Sequence, residues 1–403
     1  MNNCTVVDSL ISDETAEIDF MDSMTEYPHL AYPMRAVRRA GELLAGDILW
    51  TDENRDAALE TFAIANSWRD SHVYPMRSVR GSVVQRMRQG HIGGFTAARP
   101  KRMSSIRNKL RRYSVNLEQI NDIAGCRAVL DDIDGVRQLI AACREIPHEL
   151  KKEYPYIDEP KDDGYRSHHM VFSFSGGTQR SAFSGRRIEL QIRTRLQHSW
   201  ATAVEAVGLY RNEDMKAGQG NRDWLRLFQL VSLEFAFTEG CHPITELPSR
   251  DHRIAEIRVL NGKLGAIKFL DDLKNATSYF SNFVHGEDRP NFYLIKYDNT
   301  DHSVRVEGYS SPLASSASLG AVEQRVETGN DNINAVLVEV SKIDRLVEAY
   351  PNYFGDVTLF TKNLRAICDG KQAIEYTMAR QQIVAPKPKV TPDLSWFKRR
   401  HRW

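Results

Sequence analysis

From Ser71 to Leu117 the chain contains no acidic residue, while Arg77, Arg80, Arg86, Arg88, Arg99, Lys101, Arg102, Arg107, Lys109, Arg111 and Arg112 all stand within that stretch. A segment of this kind folds either with its cations on a solvated helix face or against a polyanion such as a triphosphate or an RNA backbone. The asymmetry is local, because the whole chain carries 54 Lys and Arg against 53 Asp and Glu.

The rest of the composition bounds the class. A chain of 403 residues with 41% hydrophobic content and charges of both signs is long enough for two or three globular domains with buried cores. Residues 1–27 are acidic and lack a basic start followed by an apolar run, and no run approaches the roughly 20 apolar residues of a membrane span. The expectation is a cytoplasmic protein with no membrane partner. Cys4, Cys126, Cys143, Cys241 and Cys368 lie far apart without a C-x-x-C pair, so neither a disulfide framework nor a zinc site is indicated, and buried thiols are expected.

Periodicity predicts helices across residues 34–89, from Leu43, Leu44, Ile48 and Leu49, then Leu59, Phe62, Ala63 and Asn66, then Val79, Val83, Val84 and Met87. Residues 91–98 break the pattern with two adjacent glycines and read as a loop; Arg99, Pro100 and Lys101 read as a turn into a helix over 103–112. The cations would then straddle a loop and a helix N-terminal turn, where backbone donors also favour phosphate. Residues 120–130 read as a strand start carrying Asp122 and Arg127, followed by a helix over 133–146 and a loop over 151–163. Strands are expected at 165–174 and 187–194 across a hairpin-like connection, then helices at 196–209 and 224–238.

A second unit is expected after residues 243–250. It comprises a helix over 252–272 extending toward 283, strands at 291–297, 303–308 and 335–340, and a helix at 341–350. Residues 310–318 are a serine-rich block, and 385–403 form a basic tail with Trp396, Phe397 and Trp403. The expected division is an N-terminal helical region (1–74), a catalytic domain (75–243), a C-terminal α+β accessory domain (244–384) and the tail (385–403).

Two carboxylates, Asp122 and Glu189, stand in strand contexts after the basic stretch, flanked by Arg127 and Arg193. Such a pair can hold a Mg²⁺ that keeps several waters and bridges nucleotide phosphates. Phosphoryl-group transfer needs mainly positioning and charge neutralisation, which a metal facing an Arg/Lys cluster supplies. The chain has no G-x-x-x-x-G-K-[ST] loop, kinase catalytic loop or dinucleotide fingerprint.

An ordered series of motifs resembles the RelA/SpoT synthetase family. Arg99-Pro100-Lys101 with Ser105, Ile106 and Lys109 resembles the family's R-P-K…S-I-x-x-K segment, and Asp122-Ile123-Ala124-Gly125-Cys126-Arg127 its D-[IV]-x-G-x-R strand. Pro160-Lys161-Asp162-Asp163-Gly164-Tyr165-Arg166-Ser167-His168-His169 resembles its P-K-x-x-G-Y-[RQ]-S-x-H loop, and Glu189-Leu190-Gln191-Ile192-Arg193-Thr194 its E-[IL]-Q-I-R-T strand. Gln197-His198-Ser199-Trp200-Ala201 continues as the family's H-x-W-A helix, with Glu205 on the same helix. The resemblance covers roughly residues 75–240.

The resemblance implies an α+β fold, a nucleotidyltransferase-like synthetase core with a mixed sheet bearing Asp122 and Glu189 and wrapped by helices, followed by a smaller C-terminal α+β unit. It implies that Arg99, Lys101, Ser105 and Lys109 bind ATP phosphates, that Arg127 stacks on adenine, and that Asp122 and Glu189 hold Mg²⁺. Tyr165 would stack on the acceptor base with Lys161 and His169 near its phosphates, and Glu189 with Gln191 would orient or deprotonate the ribose 3′-hydroxyl. The implied activity is transfer of the β,γ-pyrophosphate of ATP to GDP or GTP, giving the alarmone (p)ppGpp of the stringent response.

Plainer readings stand beside these. Ser105 and Arg107 suit ordinary helix surface, and His198 and Trp200 suit packing more than catalysis. His72 and Tyr74 resemble an upstream segment of long and toxin-like relatives and suit packing equally. Arg193 can pair with Asp122 or Glu189. No His-Asp dipeptide occurs in the N-terminal region, so synthesis without hydrolysis is expected. Asp162 and Asp163 are more acidic than the acceptor loops of many guanosine-using relatives, which leaves the acceptor open. The alternatives are toxin-like modification of the tRNA 3′ end, an adenosine alarmone, and a silent nucleotide sensor whose C-terminal unit contacts an antitoxin or trigger protein.

Overall fold

The computed structural model describes residues 26–374 apart from 49, 212, 214, 216–217, 219, 243–246, 277, 282–289, 299, 301–302, 330 and 340–356. The helix expected at 341–350, the basic tail and most of the acidic N-terminus lie outside the described residues.

The periodic residues of the first third form helices α1 (Met34–Ala45), α2 (Arg55–Asp70) and α3 (Val73–Gln89). Strand β1 (Gly94–Pro100) follows, then α4 (Met103–Arg112), β2 (Ala124–Leu130), α5 (Ile133–Cys143), β3 (Glu149–Pro155), β4 (His168–Ser173) and β5 (Arg187–Thr194). The chain continues with α6 (Arg195–Arg211), α7 (Arg222–Thr238), α8 (Arg250–Leu264), α9 (Ala266–Ala276) and β6 (Ser278–Ser281). Its last described elements are β7 (Phe292–Asp298), β8 (Ser303–Tyr309), α10 (Pro312–Glu327), β9 (Ile333–Glu339) and α11 (Thr358–Cys368).

The strands form one nine-stranded sheet in the order β3-β4-β5-β2-β1-β9-β7-β8-β6. It is mixed: β2 runs parallel to β5 and β6 to β8, and the other neighbours are antiparallel. The strands of the second unit have no sheet of their own, because β9 lies beside β1 with Ala98 opposite Glu339. The boundary drawn at residue 243 is thus crossed by a single sheet.

Alternation along the strands assigns the faces. Ala124, Cys126, Ala128, Leu130, Met170, Phe172, Ile188, Leu190 and Ile192 pack with Met76, Val79 and Val83 of α3 and Val136, Leu139 and Ile140 of α5. A separate helical core joins Leu196 and Trp200 of α6, Trp224, Phe228 and Phe235 of α7, Ile257 of α8, Leu270 of α9 and Phe360 of α11. Helix starts are capped locally: Asp132 accepts from the Gly135 N–H, Asn221 from Asp223 and Trp224, and Ser249 from His252.

Several sequence expectations are corrected. The stretch read as a loop at 91–98 is mostly β1, which starts at Gly94 with φ 141° where an added Cβ would lie 2.3 Å from the Val129 carbonyl oxygen. Its small residues Ala97 and Ala98 are fully buried, so sheet packing overrides the weak strand signal. The loop expected at 151–163 begins as β3, an edge strand whose lysines and register shift hide its alternation. Asp122 lies in the turn before β2 and not on the strand. The long helix expected from 252 breaks at Gly265, whose φ of 59° ends α8. The serine-rich block opens α10, with Ser311 as its N-cap and Pro312 at its start.

Candidate active site

On the face of the sheet away from α3 and α5, the side chains of Arg99 (β1), Arg127 (β2), Glu189, Gln191 and Arg193 (β5) and His169 (β4) line one cleft of about 420 Å³. Register explains the convergence. Gly125 stands opposite Glu189 and Arg127 opposite Gln191 across the parallel pair, and His169 stands opposite Gln191 on the other side of β5. Gly125 makes this approach close, since a Cβ would sit 3.1 Å from the Glu189 carbonyl oxygen. The cleft is completed by Lys101, Lys109 and Asp122, by Tyr154, Tyr156, Lys161, Asp163 and Tyr165, and by Trp200, Ala201, Val204 and Glu205 of α6.

Within the cleft a cation cluster surrounds Asp122. Lys101 Nζ lies 2.7 Å from Asp122 Oδ2 and Lys109 Nζ 2.9 Å from Oδ1. Burial pushes the Asp122 carboxyl up, but the two ammonium groups outweigh it and hold the carboxyl down at about 2. Glu189 is held by Gln191, whose Nε2 donates to Oε2 at 2.8 Å, and by His169, whose Nδ1 lies 3.1 Å from Oε1. Burial raises its carboxyl and the His169 contact leads the groups that bring it below the usual glutamate range, against the nearby Asp122 charge.

The cleft also has an aromatic wall. The Tyr165 hydroxyl lies 2.9 Å from His169 Nε2, so the His169 ring bridges Tyr165 and Glu189. Lys161 Nζ stands 4.5 Å from the Tyr156 ring centroid and 5.2 Å from that of Tyr165. Tyr154 and Tyr156 stack with their planes 5° apart. Gly164, with φ 89°, turns the chain into Tyr165, and Asp163 Oδ1 accepts from the Tyr165 N–H at 2.8 Å, so this acid serves the turn.

The cleft therefore gathers Asp122, Glu189, Gln191, Arg99, Lys101, Lys109, Arg127, Tyr165, Lys161 and His169. Ser105 is not among its lining residues; it is half-buried on α4, one turn before Lys109. The helix start expected to offer backbone donors to phosphate is engaged within the protein, as the Met103 N–H donates to Glu323. Trp200 donates its indole N–H to the Phe228 carbonyl at 2.8 Å, and His198 is buried and accepts from Arg193 at 2.7 Å. His72 is also a packing residue, its Nδ1 2.8 Å from the Trp68 carbonyl and its imidazole held down at about 3 by burial and Arg186. Tyr154 and Tyr156 were missed by sequence reasoning because the lysines and Pro155 around them mask the strand; a tyrosine pair two residues apart was the available signal.

Asp122 and Glu189, two carboxylates in one cleft, are the residues that could hold a divalent cation. No cluster of three or more His, Cys, Asp or Glu able to enclose a metal occurs among the described residues.

The family described as the region found in RelA / SpoT proteins matches residues 98–215. GTP pyrophosphokinase YjbM of Bacillus subtilis (strain 168) is 36% identical over 117 residues, covering 27% of this chain and 53% of its own. GTP pyrophosphokinase YwaC of the same organism is 31% identical over 130 residues, covering 30% of this chain and 60% of its own. This chain thus spans little more than half the length of these relatives. Among solved structures, the small alarmone synthetase 2 from Bacillus subtilis matches 42% of this chain and 92% of its own, at 21% identity and a TM-score of 0.37. The small alarmone synthetase 1 from the same organism, bound to its product pppGpp, matches 46% and 94%, at 22% identity and a TM-score of 0.36.

Proposed function

Through residues 98–215 the chain is a member of the RelA/SpoT family, and on that footing we propose that it is an ATP-dependent pyrophosphokinase that transfers the β,γ-pyrophosphate of ATP to the ribose 3′-hydroxyl of GDP or GTP. The observation that carries this reading is that one cleft brings Asp122 and Glu189 together with the cations Arg99, Lys101, Lys109 and Arg127 and with Tyr165, Tyr156 and Lys161.

In this reading Lys101 and Lys109, which pair with Asp122, turn to the β- and γ-phosphates. Arg127 stacks on adenine and Arg99 adds positive charge beside the phosphates. Asp122 and Glu189 would hold Mg²⁺, which neutralises charge on the transferred group when bound. Tyr165 carries the acceptor base, with Lys161 and His169 beside its phosphates. Glu189, kept anionic by His169 and Gln191, accepts the proton of the 3′-hydroxyl. The 3′-oxygen bonds to the β-phosphorus, the bond between that phosphorus and the oxygen bridging it to the α-phosphate breaks, and AMP leaves.

The test supplies Mg²⁺ and ATP labelled at the γ-phosphate with GDP, GTP, ADP, ATP or total tRNA as separate acceptors. Label in a guanosine tetra- or pentaphosphate is the expected result. Label in tRNA alone would replace the nucleotide acceptor with a macromolecular one. Label nowhere, with Glu189→Gln behaving like the parent, would reject pyrophosphate transfer altogether.

A further inference from the structure

The acid-free stretch finds its counter-charges at the far end of the chain. On α10, Glu323 Oε1 accepts from the backbone N–H of Met103 at 2.8 Å and Oε2 from Arg69 at 2.6 Å. One turn later Glu327 pairs with Arg107. On β9, buried Glu339 lies 3.3 Å from Arg80 and 3.7 Å from Arg77, both on α3, and stands opposite Ala98 in the sheet. Arg80 also donates to Thr96 of β1 at 3.0 Å.

These contacts converge on one short piece of chain. Strand β1, the short link after it and helix α4 carry Arg99, Lys101 and Lys109, three of the cations proposed above for ATP. Acids from residues 323–339 reach that piece beside Ala98, at the first residue of α4 and midway along the helix. Helix α4 has only ten residues, and its own N-cap, Arg102, makes no side-chain capping bond. The Glu323 carboxylate supplies what the local sequence lacks, and negative charge is favourable at a helix start. Lys109 Nζ sits 2.9 Å from Asp122, so a small slide or rotation of α4 changes how that ammonium addresses the cleft.

We propose that residues 312–339 are a working part of the ATP half-site, with Glu323 and Glu327 as positioning residues that fix α4, and through it Lys109, against Asp122. This rests on the pyrophosphokinase reading. It assigns a role to a segment outside the matched residues 98–215. ATP affinity then depends on α10, whereas the acceptor platform, built on Tyr165, Tyr156 and Lys161, does not.

The test uses the full chain and calorimetric binding of Mg²⁺ with the non-hydrolysable α,β-methylene analogue of ATP. Arg107→Glu and Glu327→Arg are made singly and together, with Glu323→Gln as a separate variant and thermal midpoints recorded for all. Each single charge reversal is expected to weaken analogue binding about tenfold, and the double reversal to restore it to within about twofold. Restoration with Glu still at position 107 separates helix positioning from simple repulsion of phosphate. Glu323→Gln is expected to weaken analogue binding about tenfold while the acceptor KM stays within about twofold. Singles that bind like the parent, a double no better than either single, or equal losses for both substrates would overturn the inference. A parent chain that fails to bind the analogue would instead overturn the pyrophosphokinase reading beneath it.

Discussion

His169 Nδ1 lies 3.1 Å from Glu189 Oε1, and the same ring reaches the Tyr165 hydroxyl with Nε2 at 2.9 Å, so one imidazole links the carboxylate proposed as base to the proposed acceptor platform. His169→Phe keeps the burial of Glu189 and removes the hydrogen bond that helps hold its carboxyl below the usual range. The glutamate pKa therefore rises. Because the anion is the working form, the acid limb of kcat/KM moves to higher pH, while rates well above that limb are little changed by the shift. A pH profile of initial rates checks this, and an acid limb that does not move would reject the coupling.

Asp122 lies between Lys101 and Lys109, its carboxyl held at about 2. A group with a depressed folded-state pKa contributes stability that is present above its unfolded value and lost as pH falls through the folded one. The shift corresponds to about 2 kcal/mol. Asp122→Asn should therefore be about 2 kcal/mol less stable than the parent at neutral pH, with the gap closing between about pH 4 and pH 2, and should lose turnover while remaining folded. Denaturant titrations at several pH values measure the gap; one that is constant with pH would mean that the lysines do not stabilise the anion.

The strands that line the cleft were readable in the sequence because their pattern is local: an alternating core face is coupled to a polar cleft face, as in Ile188, Leu190 and Ile192 against Glu189, Gln191 and Arg193. Strand β1 was missed because its Gly-Phe-Thr-Ala-Ala core has little intrinsic strand preference and is fixed by neighbours on both sides. Joining of β9 to β1, and the reach of Glu323 to Met103, are contacts between distant parts of the chain that periodicity does not encode. The same limit explains why the acid-free stretch suggested an outside polyanion: several of its arginines are answered by glutamates more than 200 positions away.

Lys161 stands over both the Tyr156 and Tyr165 rings, so the acceptor platform is already arranged to hold a flat ring and a negative charge together. Tyr165→Leu removes the stacking surface and the hydroxyl contact with His169 while leaving Lys101, Lys109 and Arg127 in place. The acceptor KM should rise about tenfold to a hundredfold, in line with about 1–3 kcal/mol for one stacked base, and the affinity for a non-hydrolysable ATP analogue should change by less than about twofold. Steady-state kinetics with each substrate varied in turn measures the split, and a larger effect on ATP than on the acceptor would reverse the assignment of the two substrates.

Gly125 brings β2 close enough to β5 for Asp122, at the foot of one strand, and Glu189, on the other, to serve one cleft. An added Cβ would lie 3.1 Å from the Glu189 carbonyl oxygen, a backbone atom that moves only with its strand. Gly125→Ala should therefore shift β5 by a few tenths of an ångström, cost about 1–3 kcal/mol, and lower kcat more than it raises either KM. Gly185→Ala, at a glycine with φ 82° and open space around its Cβ, is the control for a stability loss by backbone strain without a clash. Thermal midpoints and steady-state rates for the two variants decide the matter. Equal loss of stability with kcat reduced only in Gly125→Ala is the expected pattern, and an unchanged kcat in Gly125→Ala would mean that the spacing of the two strands does not set the geometry of the cleft.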